Sequence, residues 1–109
     1  MKKVFISQPM NGRSNEAIKE QRNNCIELVK KQYGNDIEVL ETFFENAPHD
    51  ANPLWFLGKS IQLLSVADIV IFAKGFENYR GCRAEHYLCR QYDKKIIYED
   101  PTVEMLKVE

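Results

Sequence analysis

One acidic residue, Glu85, stands in the sequence where a carboxylate can do chemistry on a bound ligand. It follows a continuous apolar run, Ile69 to Ala73, and a loop with glycine at each end, Gly75 and Gly81. Such a run is typical of a strand buried on both faces. A helix is predicted after the loop, and near its first turn the helix dipole favours an ionised Glu85. The pattern therefore predicts a carboxylate over the carboxyl end of a strand, where open α/β sheets bind ligands.

Structural roles are the alternative for Glu85 and for other reactive residues. Acids are common in first helical turns, where they only stabilise the helix. His49 lies in a long loop, where it either carries a proton near neutral pH or pairs with a neighbouring acid. Arg22 falls in the apolar stripe of the first predicted helix, and either reaches a carboxylate or phosphate or snorkels from a partly buried face. Asp68 begins a strand, and we interpret it as structural.

Four short apolar segments alternate with three helical patterns. The predicted strands are 3–7, 37–40, 69–73 and 95–98, with the helices between them. Strands that alternate with helices form parallel sheets with helices on both faces and right-handed crossovers. We predict an α/β fold: a three-layer, flavodoxin/Rossmann-like parallel sheet of four to five strands, in a single domain spanning residues 1–109.

The ends of the first two helices carry clear signals. Ser14 or Asn15 is expected to cap the first helix, and Gly34 to end it. Asn52 is expected to cap the second helix, with Pro53 at its first position.

The second helix has an apolar stripe, and a long loop precedes it. The loop, 43–52, exceeds a minimal strand-to-helix connection and is expected to cover a site. Trp55 lies off the stripe, where it can touch that loop or a partner subunit. The stripe has spacings of three, four and three and consists of Leu54, Leu57, Ile61 and Leu64.

Composition excludes several classes of function. The net charge of the 109 residues is −1, with the two signs interspersed, so no charged surface for nucleic acid or membrane is predicted. The longest apolar run is too short to span a membrane. The three cysteines form no CxxC pair, which favours reduced thiols and a cytoplasmic location. They also make no familiar ligand spacing with His49 or His86, so neither a metal nor another cofactor is expected.

Three segments resemble the nucleoside 2′-deoxyribosyltransferase-like superfamily. They are Val4–Met10 (VFISQPM), Leu64–Phe72 (LSVADIVIF) and Gly81–His86 (GCRAEH). The resemblance is closest to a small branch, common in phages and bacteria, whose members read FISQPM and RGCRxEH, and it spans nearly the whole chain.

The resemblance implies an enzyme that acts at an N-glycosidic bond, as hydrolase or transferase. The glutamate at the position of Glu85 attacks the anomeric carbon of a nucleoside or nucleotide and forms a covalent glycosyl-enzyme intermediate, while a second group protonates the leaving base. The expected partners are this small molecule and other copies of the chain in a homo-oligomer. The expected location is the cytoplasm of a bacterial cell or of a phage-infected host.

The expected substrate site lies where two loops, 7–11 and 75–81, meet at the sheet edge. The first loop would contact sugar and base. The amides around Gly81 would hold a phosphate, helped by Arg80 or Arg83. The substrate-binding residues expected are Ser7, Gln8, Pro9, Met10, Gly75, Arg80, Gly81 and Arg83.

The chain departs from the family pattern at two positions. Ser60 stands where the family often has an acid, and Tyr79 where it often has Asp or Ser. The proton donor is therefore open, with Asp50, His49 and Tyr79 as candidates.

Three hypotheses follow from these residues. The first is a glycosidic-bond enzyme with Glu85 as its nucleophile, and with Tyr79 and Asp50 as further catalytic residues. The second is a non-catalytic binder of a nucleotide or nucleotide-derived signal, which Ser60 and Tyr79 favour. The third is an assembly protein with a degenerate site, using Trp55 and the carboxyl-terminal tail as contact surface.

Overall fold

The structure, a computed structural model, describes residues 1–42, 44 and 47–105. The strands are β1 (Lys2–Ser7), β2 (Ile37–Val39), β3 (Ile69–Phe72) and β4 (Ile96–Tyr98). The helices are α1 (Asn15–Tyr33), α2 (Pro53–Val66), α3 (Arg80–Gln91) and α4 (Thr102–Met105), with a one-turn 3-10 helix at Phe76–Asn78 before α3. The predicted alternation of strands and helices is confirmed. Within the described range, no helix has both the length and the apolar character needed to cross a membrane.

The four strands form one parallel sheet in the order β2-β1-β3-β4. This confirms the predicted α/β fold, which has a flavodoxin/Rossmann-like arrangement. The chain first moves from β1 to β2 and then crosses to the other side of β1 to form β3. The strand order therefore reverses between β1 and β3, and open α/β sheets bind ligands outside the carboxyl ends of such a pair.

Helices cover both faces of the sheet because alternate strand residues point to opposite sides. One face packs on α1, through Val4, Ile6, Ile69, Ile71 and Ala73 with Cys25 and Val29. The other face packs on α2 and α3, through Phe5, Val70 and Phe72 with Leu64, Cys82 and Cys89. Burial on both sides explains why the strands are continuously apolar.

The predicted helix ends are confirmed. The Ser14 side chain accepts a hydrogen bond from the Ala17 amide at 3.1 Å, and Asn52 does the same for Trp55 at 2.9 Å. Gly34 ends α1 with a φ of 87°, in the left-handed region that glycine adopts most readily.

The apolar stripe predicted for α2 is only partly buried. Leu64 is the helix's buried residue, whereas Leu54 is 75% exposed and Ile61 is 40% exposed. Periodicity places these side chains along one stripe of the helix, but it does not reveal that the sheet and α3 cover only part of it.

The structural interpretation of Asp68 is supported by its contact. Its Oδ2 accepts a hydrogen bond from the backbone amide of Lys3 at 2.7 Å. Arg22 likewise braces the chain after β2, since its guanidinium donates to the Leu40 carbonyl at 3.1 Å and to the Thr42 hydroxyl at 3.4 Å.

We expect Phe72→Ala to lower the free energy of unfolding by about 3–5 kcal/mol, because it empties a fully buried aromatic position. The Phe72 ring packs 5.0 Å from that of Phe76 and 6.2 Å from that of Tyr98. Chemical denaturation followed by circular dichroism measures the loss. Tyr87→Ala, at a site 63% exposed, is the matched control and should change stability by less than about 0.5 kcal/mol. Equal effects of the two substitutions would contradict the assigned core.

Candidate functional site

A cleft of about 1010 Å³ opens at the carboxyl edge of the sheet. Its walls are the loop after β1, the first half of α2 and the start of α3. The cleft therefore lies on the α2 and α3 side of the strand reversal, which is where the topology predicts a ligand. Its volume is at the upper end of the range for small-molecule pockets, roughly 300–1,000 Å³.

Glu85 lines this cleft, with only 7% of its surface exposed. The Ser7 hydroxyl, at the end of β1, donates a hydrogen bond to Glu85 Oε1 at 2.6 Å. Ser60, on α2, also lines the cleft, and its hydroxyl acts on this carboxyl group to lower its pKa. Three separate elements of the fold thus converge on one acid.

The ionisation of Glu85 differs from the sequence-based expectation. Helix α3 begins at Arg80 and has no acid in its first turn, so Glu85 lies in the second turn. There the dipole effect has largely faded. Burial raises the pKa of the Glu85 carboxyl above its ordinary value of 4.5, and the hydrogen bonds from Ser7 and Ser60 oppose that rise. The net shift of the Glu85 pKa is thus opposite to the one that the helix dipole favours, because loss of water outweighs the other influences.

The thiols of α3 are unsuited to act as nucleophiles in this site. Burial raises the pKa of Cys82, which lines the cleft, to about 11, and it raises that of Cys89 to about 11 as well. Both groups are therefore protonated near neutral pH. All three cysteines of the chain are free.

The loop after β1 supplies one wall, and Ser7, Gln8, Pro9 and Met10 all line the cleft. The Gln8 side chain is turned toward α1, where Nε2 donates to the Ile18 carbonyl at 2.6 Å. This amide anchors the loop. The Ser7 hydroxyl is engaged with Glu85, so its role in this structure is to hold the carboxylate. The predicted substrate contacts of the loop stay predictions, with Pro9 and Met10 best placed to make them.

The wall opposite the β1 loop is formed by the start of α3, where Tyr79, Arg80 and Gly81 line the cleft. The Tyr79 hydroxyl donates to the Asn11 carbonyl at 3.3 Å, which links the two loops predicted to meet at this edge. Arg80 is exposed at the cleft.

Four expected site residues lie outside the cleft lining. Asp50 is exposed, so the geometry gives it no contact with Glu85 or the cleft, and His49 is exposed beside it. Arg83 is exposed on α3. Gly75 supports the site from behind: it has a φ of 90°, and its Cβ position faces Pro9 Cγ at 3.9 Å.

Phe44 forms part of the apolar wall from the expected covering loop. Its ring lies 6.3 Å from that of Trp55 and 6.4 Å from that of Phe56, so Trp55 contacts this loop, one of the two alternatives for it. Phe43, Glu45 and Asn46 of the same loop lie outside the described residues.

Sequence reasoning missed two parts of the site. The first is most of the α2 wall, formed by Leu54, Phe56 and Leu57, for which the low charge of α2 was the available signal; the family pattern had marked the position of Ser60. The second is Gln21, whose Nε2 donates to the Lys74 carbonyl and to Glu99 Oε1, both at 3.0 Å. The sequence signal for Gln21 was its position, because it is a polar residue within the apolar stripe of α1.

The motif histidine and the acidic residues provide no metal site. His86 Nε2 lies 2.6 Å from the Tyr98 hydroxyl, and its ring packs 4.8 Å from that of Phe72. Across the part of the chain that the structure describes, no three His, Cys, Asp or Glu residues are grouped to hold a metal ion.

Comparison with protein-family models, with curated proteins and with solved structures gives no match.

Burial of Glu85 predicts a pH dependence of stability. The folded state holds this proton more tightly than the unfolded state, so the contribution of Glu85 to stability falls as pH rises from about 4.5 through the raised pKa. Each pKa unit of the rise corresponds to about 1.4 kcal/mol. Glu85→Gln removes the ionisation, so the variant should gain stability relative to wild type between pH 4 and pH 8, as calorimetry can measure.

Glu20→Gln, on the exposed side of α1, is the control for that experiment because its carboxylate stays in water. A difference between wild type and Glu85→Gln that does not change with pH, or that changes in the opposite sense, would contradict the assigned burial.

Proposed function

We propose that the protein binds a nucleoside or nucleotide in the cleft and acts on its N-glycosidic bond, with Glu85 as the nucleophile. One observation carries the proposal: a buried carboxyl group lines a ligand-sized cleft and is held there by Ser7 at 2.6 Å. Structural acids on helices are usually exposed, and a carboxyl group in a cleft whose pKa is raised by burial is a candidate functional group.

The lining of the cleft suits a nucleoside. The cleft offers apolar surface for a planar base, provided by Phe44, Phe56, Pro9 and Met10. Arg80 at the start of α3 is a cation that can meet a phosphate at the mouth. Ser7, Ser60 and Glu85 all line the cleft and provide hydrogen-bonding groups for a sugar.

The proposed reaction has two displacement steps. In the first, an ionised Glu85 oxygen bonds to the anomeric carbon, and the bond to the base nitrogen breaks with its electron pair. The departing base takes a proton, for which Tyr79 is the candidate that lines the cleft. In the second step, water or another base bonds to the anomeric carbon and gives a proton back to Tyr79, and the bond to the Glu85 carboxylate breaks. Water gives hydrolysis, and a base gives transfer.

Ser7 would act by holding Glu85 in position. Its hydrogen bond fixes Oε1 and stabilises the ionised form, which is the form able to attack. Because burial raises the pKa of Glu85, the rate should increase with pH through that pKa. A cytoplasmic location, in a bacterial cell or a phage-infected host, belongs to the same proposal.

A non-catalytic binder of a nucleotide or nucleotide-derived signal is the second candidate. The observation that favours it is also the burial of Glu85, since a raised pKa favours the protonated acid, which is a poor nucleophile. In that case Glu85 and the two serines would donate and accept hydrogen bonds to the ligand without turnover.

Incubation with a panel of nucleosides and nucleoside monophosphates tests the two candidates. Chromatography measures the free base, and intact-protein mass spectrometry detects a glycosyl adduct on Glu85. We expect base release by wild type, and Glu85→Gln to lower it by about 10³-fold or more, the scale of removing a nucleophile. Glu20→Gln should leave the rate unchanged.

The other outcomes of this panel distinguish between the enzyme, the binder and neither function. Release that continues unaltered in Glu85→Gln would remove this residue from the mechanism. Binding measured by calorimetry without release over hours would select the binder. Absence of both binding and release across the panel would contradict both candidates.

A further inference from the structure

Gln21 of α1 is a buried polar residue, 9% exposed, that is not among the residues lining the cleft. Its amide nitrogen donates to the Lys74 carbonyl, after β3, and to Glu99 Oε1, after β4. Its amide oxygen accepts from Arg13 Nη1 and, at 3.4 Å, from Gln8 Nε2, both in the loop after β1. One side chain therefore joins the segments that follow three of the four strands.

The four contacts use the whole capacity of the Gln21 amide, which has two N–H donors and two acceptor lone pairs. Turning the amide over would place its oxygen against the Lys74 carbonyl and the Glu99 carboxylate, so the partners set its orientation. A carboxylate only accepts and an ammonium only donates. Neither could therefore make all four contacts.

The loop after β1, residues 8–13, is folded back on itself and joined to α1. The Arg13 amide donates to the Met10 carbonyl at 3.1 Å, and Arg13 Nη1 donates to the Pro9 carbonyl at 3.3 Å. Because the same Nη1 also donates to Gln21, the guanidinium links the loop to the helix. Pro9 and Met10 of this loop line the cleft.

Gln8 indicates that this loop depends on α1 for its shape. Gln8 is buried, and its Oε1 accepts no hydrogen bond from any residue that the structure describes. A buried acceptor without a partner is unfavourable. Turning the Gln8 amide over would not help, because its Nε2 faces two oxygens, the Ile18 carbonyl at 2.6 Å and Gln21 Oε1. The contacts with α1 must therefore compensate for the unpaired oxygen.

We propose that Gln21 is a positioning residue for the ligand: from outside the cleft, it holds the loop after β1 in the shape that Pro9 and Met10 need to contact that ligand. The part of the inference that concerns the ligand rests on the proposed function. The part that concerns the loop does not.

The polarity of the Gln21 amide separates its two sides. Gln21→Lys keeps a donor toward Glu99 but places a cation beside Arg13, so it should release the loop after β1. Gln21→Glu keeps an acceptor for Arg13 but places an anion beside Glu99, so it should release the segment after β3 and leave the loop after β1 in place. A residue that only fills space in the interior would show no such dependence on the sign of the charge.

NMR of methionine methyl groups labelled with carbon-13 tests the loop without a ligand. The chain has three methionines, and the Met10 signal is assigned by its loss in Met10→Leu. We expect Gln21→Lys to shift and broaden this signal, and Gln21→Glu to leave it close to wild type. Arg13→Leu, at a partly buried position, removes the same link from the loop side and should shift the Met10 signal even if Gln21→Lys fails to fold.

Gln32→Lys and Gln32→Glu are the matched controls, because Gln32 is an exposed glutamine of the same helix. Both should leave the Met10 signal unchanged. Circular dichroism verifies that each variant is folded.

Calorimetry measures the consequence for the ligand, with ribonucleoside and 2′-deoxyribonucleoside monophosphates as probes. For the probe that wild type binds most tightly, Gln21→Lys should raise the dissociation constant by at least about five-fold, because the loop is no longer pre-organised. If the probe is turned over, the loss should appear in KM while kcat stays within about two-fold, since Ser7 rather than Gln21 holds Glu85. Gln32→Lys should bind like wild type.

Three results would overturn the inference. A Met10 signal that Gln21→Lys and Arg13→Leu leave unchanged, or that Gln21→Lys and Gln21→Glu shift equally, would contradict the role of Gln21 in the loop. A shifted Met10 signal with an unchanged dissociation constant would contradict its role for the ligand. Absence of binding by every probe would contradict the proposed function and this ligand role together, whereas the Met10 signal decides the loop part separately.

Discussion

The removal of the Glu85 carboxyl group from water is the constraint on which the site depends. A buried acid without partners is costly, and folded chains tolerate it only where hydrogen bonds compensate. Here the compensation comes from Ser7 at 2.6 Å and from Ser60. Ser7 is the last residue of β1 and pairs in register with Phe72 of β3. The position of the hydroxyl is therefore fixed by the centre of the sheet, and the position of the acid by the helix that follows β3.

A second set of contacts holds the cleft loop from the opposite side of the sheet. Gln8 is anchored to α1 through the Ile18 carbonyl, and Gln21 of α1 joins Lys74 after β3 to Glu99 after β4. Glu99 Oε1 also accepts from the Lys74 amide at 2.8 Å. These polar links tie the ends of three strands together on the α1 side, so the cleft opens toward α2 and α3. A ligand that enters there meets Glu85 supported by rigid strands, which is the arrangement that positions a reactive group well.

The elements that the sequence predicted best are those where local and global signals agree. The strand faces, the Ser14 and Asn52 caps, and the meeting of Ser7 with Glu85 at one edge all follow from apolar pattern, capping chemistry and parallel topology. The helical turn that contains Glu85 did not follow from these signals. Helix α3 begins at Arg80, and Tyr79 before it makes no side-chain cap that would mark the start of the helix. The exposure of Leu54 and Ile61 was also hidden, since a stripe of apolar residues looks alike whether it faces a core or another molecule. Likewise, the orientation of Gln8 depends on a carbonyl ten residues away, which no local pattern encodes.

Direct titration of the Glu85 carboxyl carbon by NMR tests the central claim most directly. The resonance is assigned by its loss in Glu85→Gln, and its pKa is compared between wild type and Ser7→Ala. The account predicts a wild-type pKa above 4.5 and a still higher value in Ser7→Ala, because the hydroxyl favours the ionised acid. A wild-type pKa at or below 4.5, or a pKa that Ser7→Ala leaves unchanged, would contradict the description of Glu85 as a buried acid held over the cleft by Ser7.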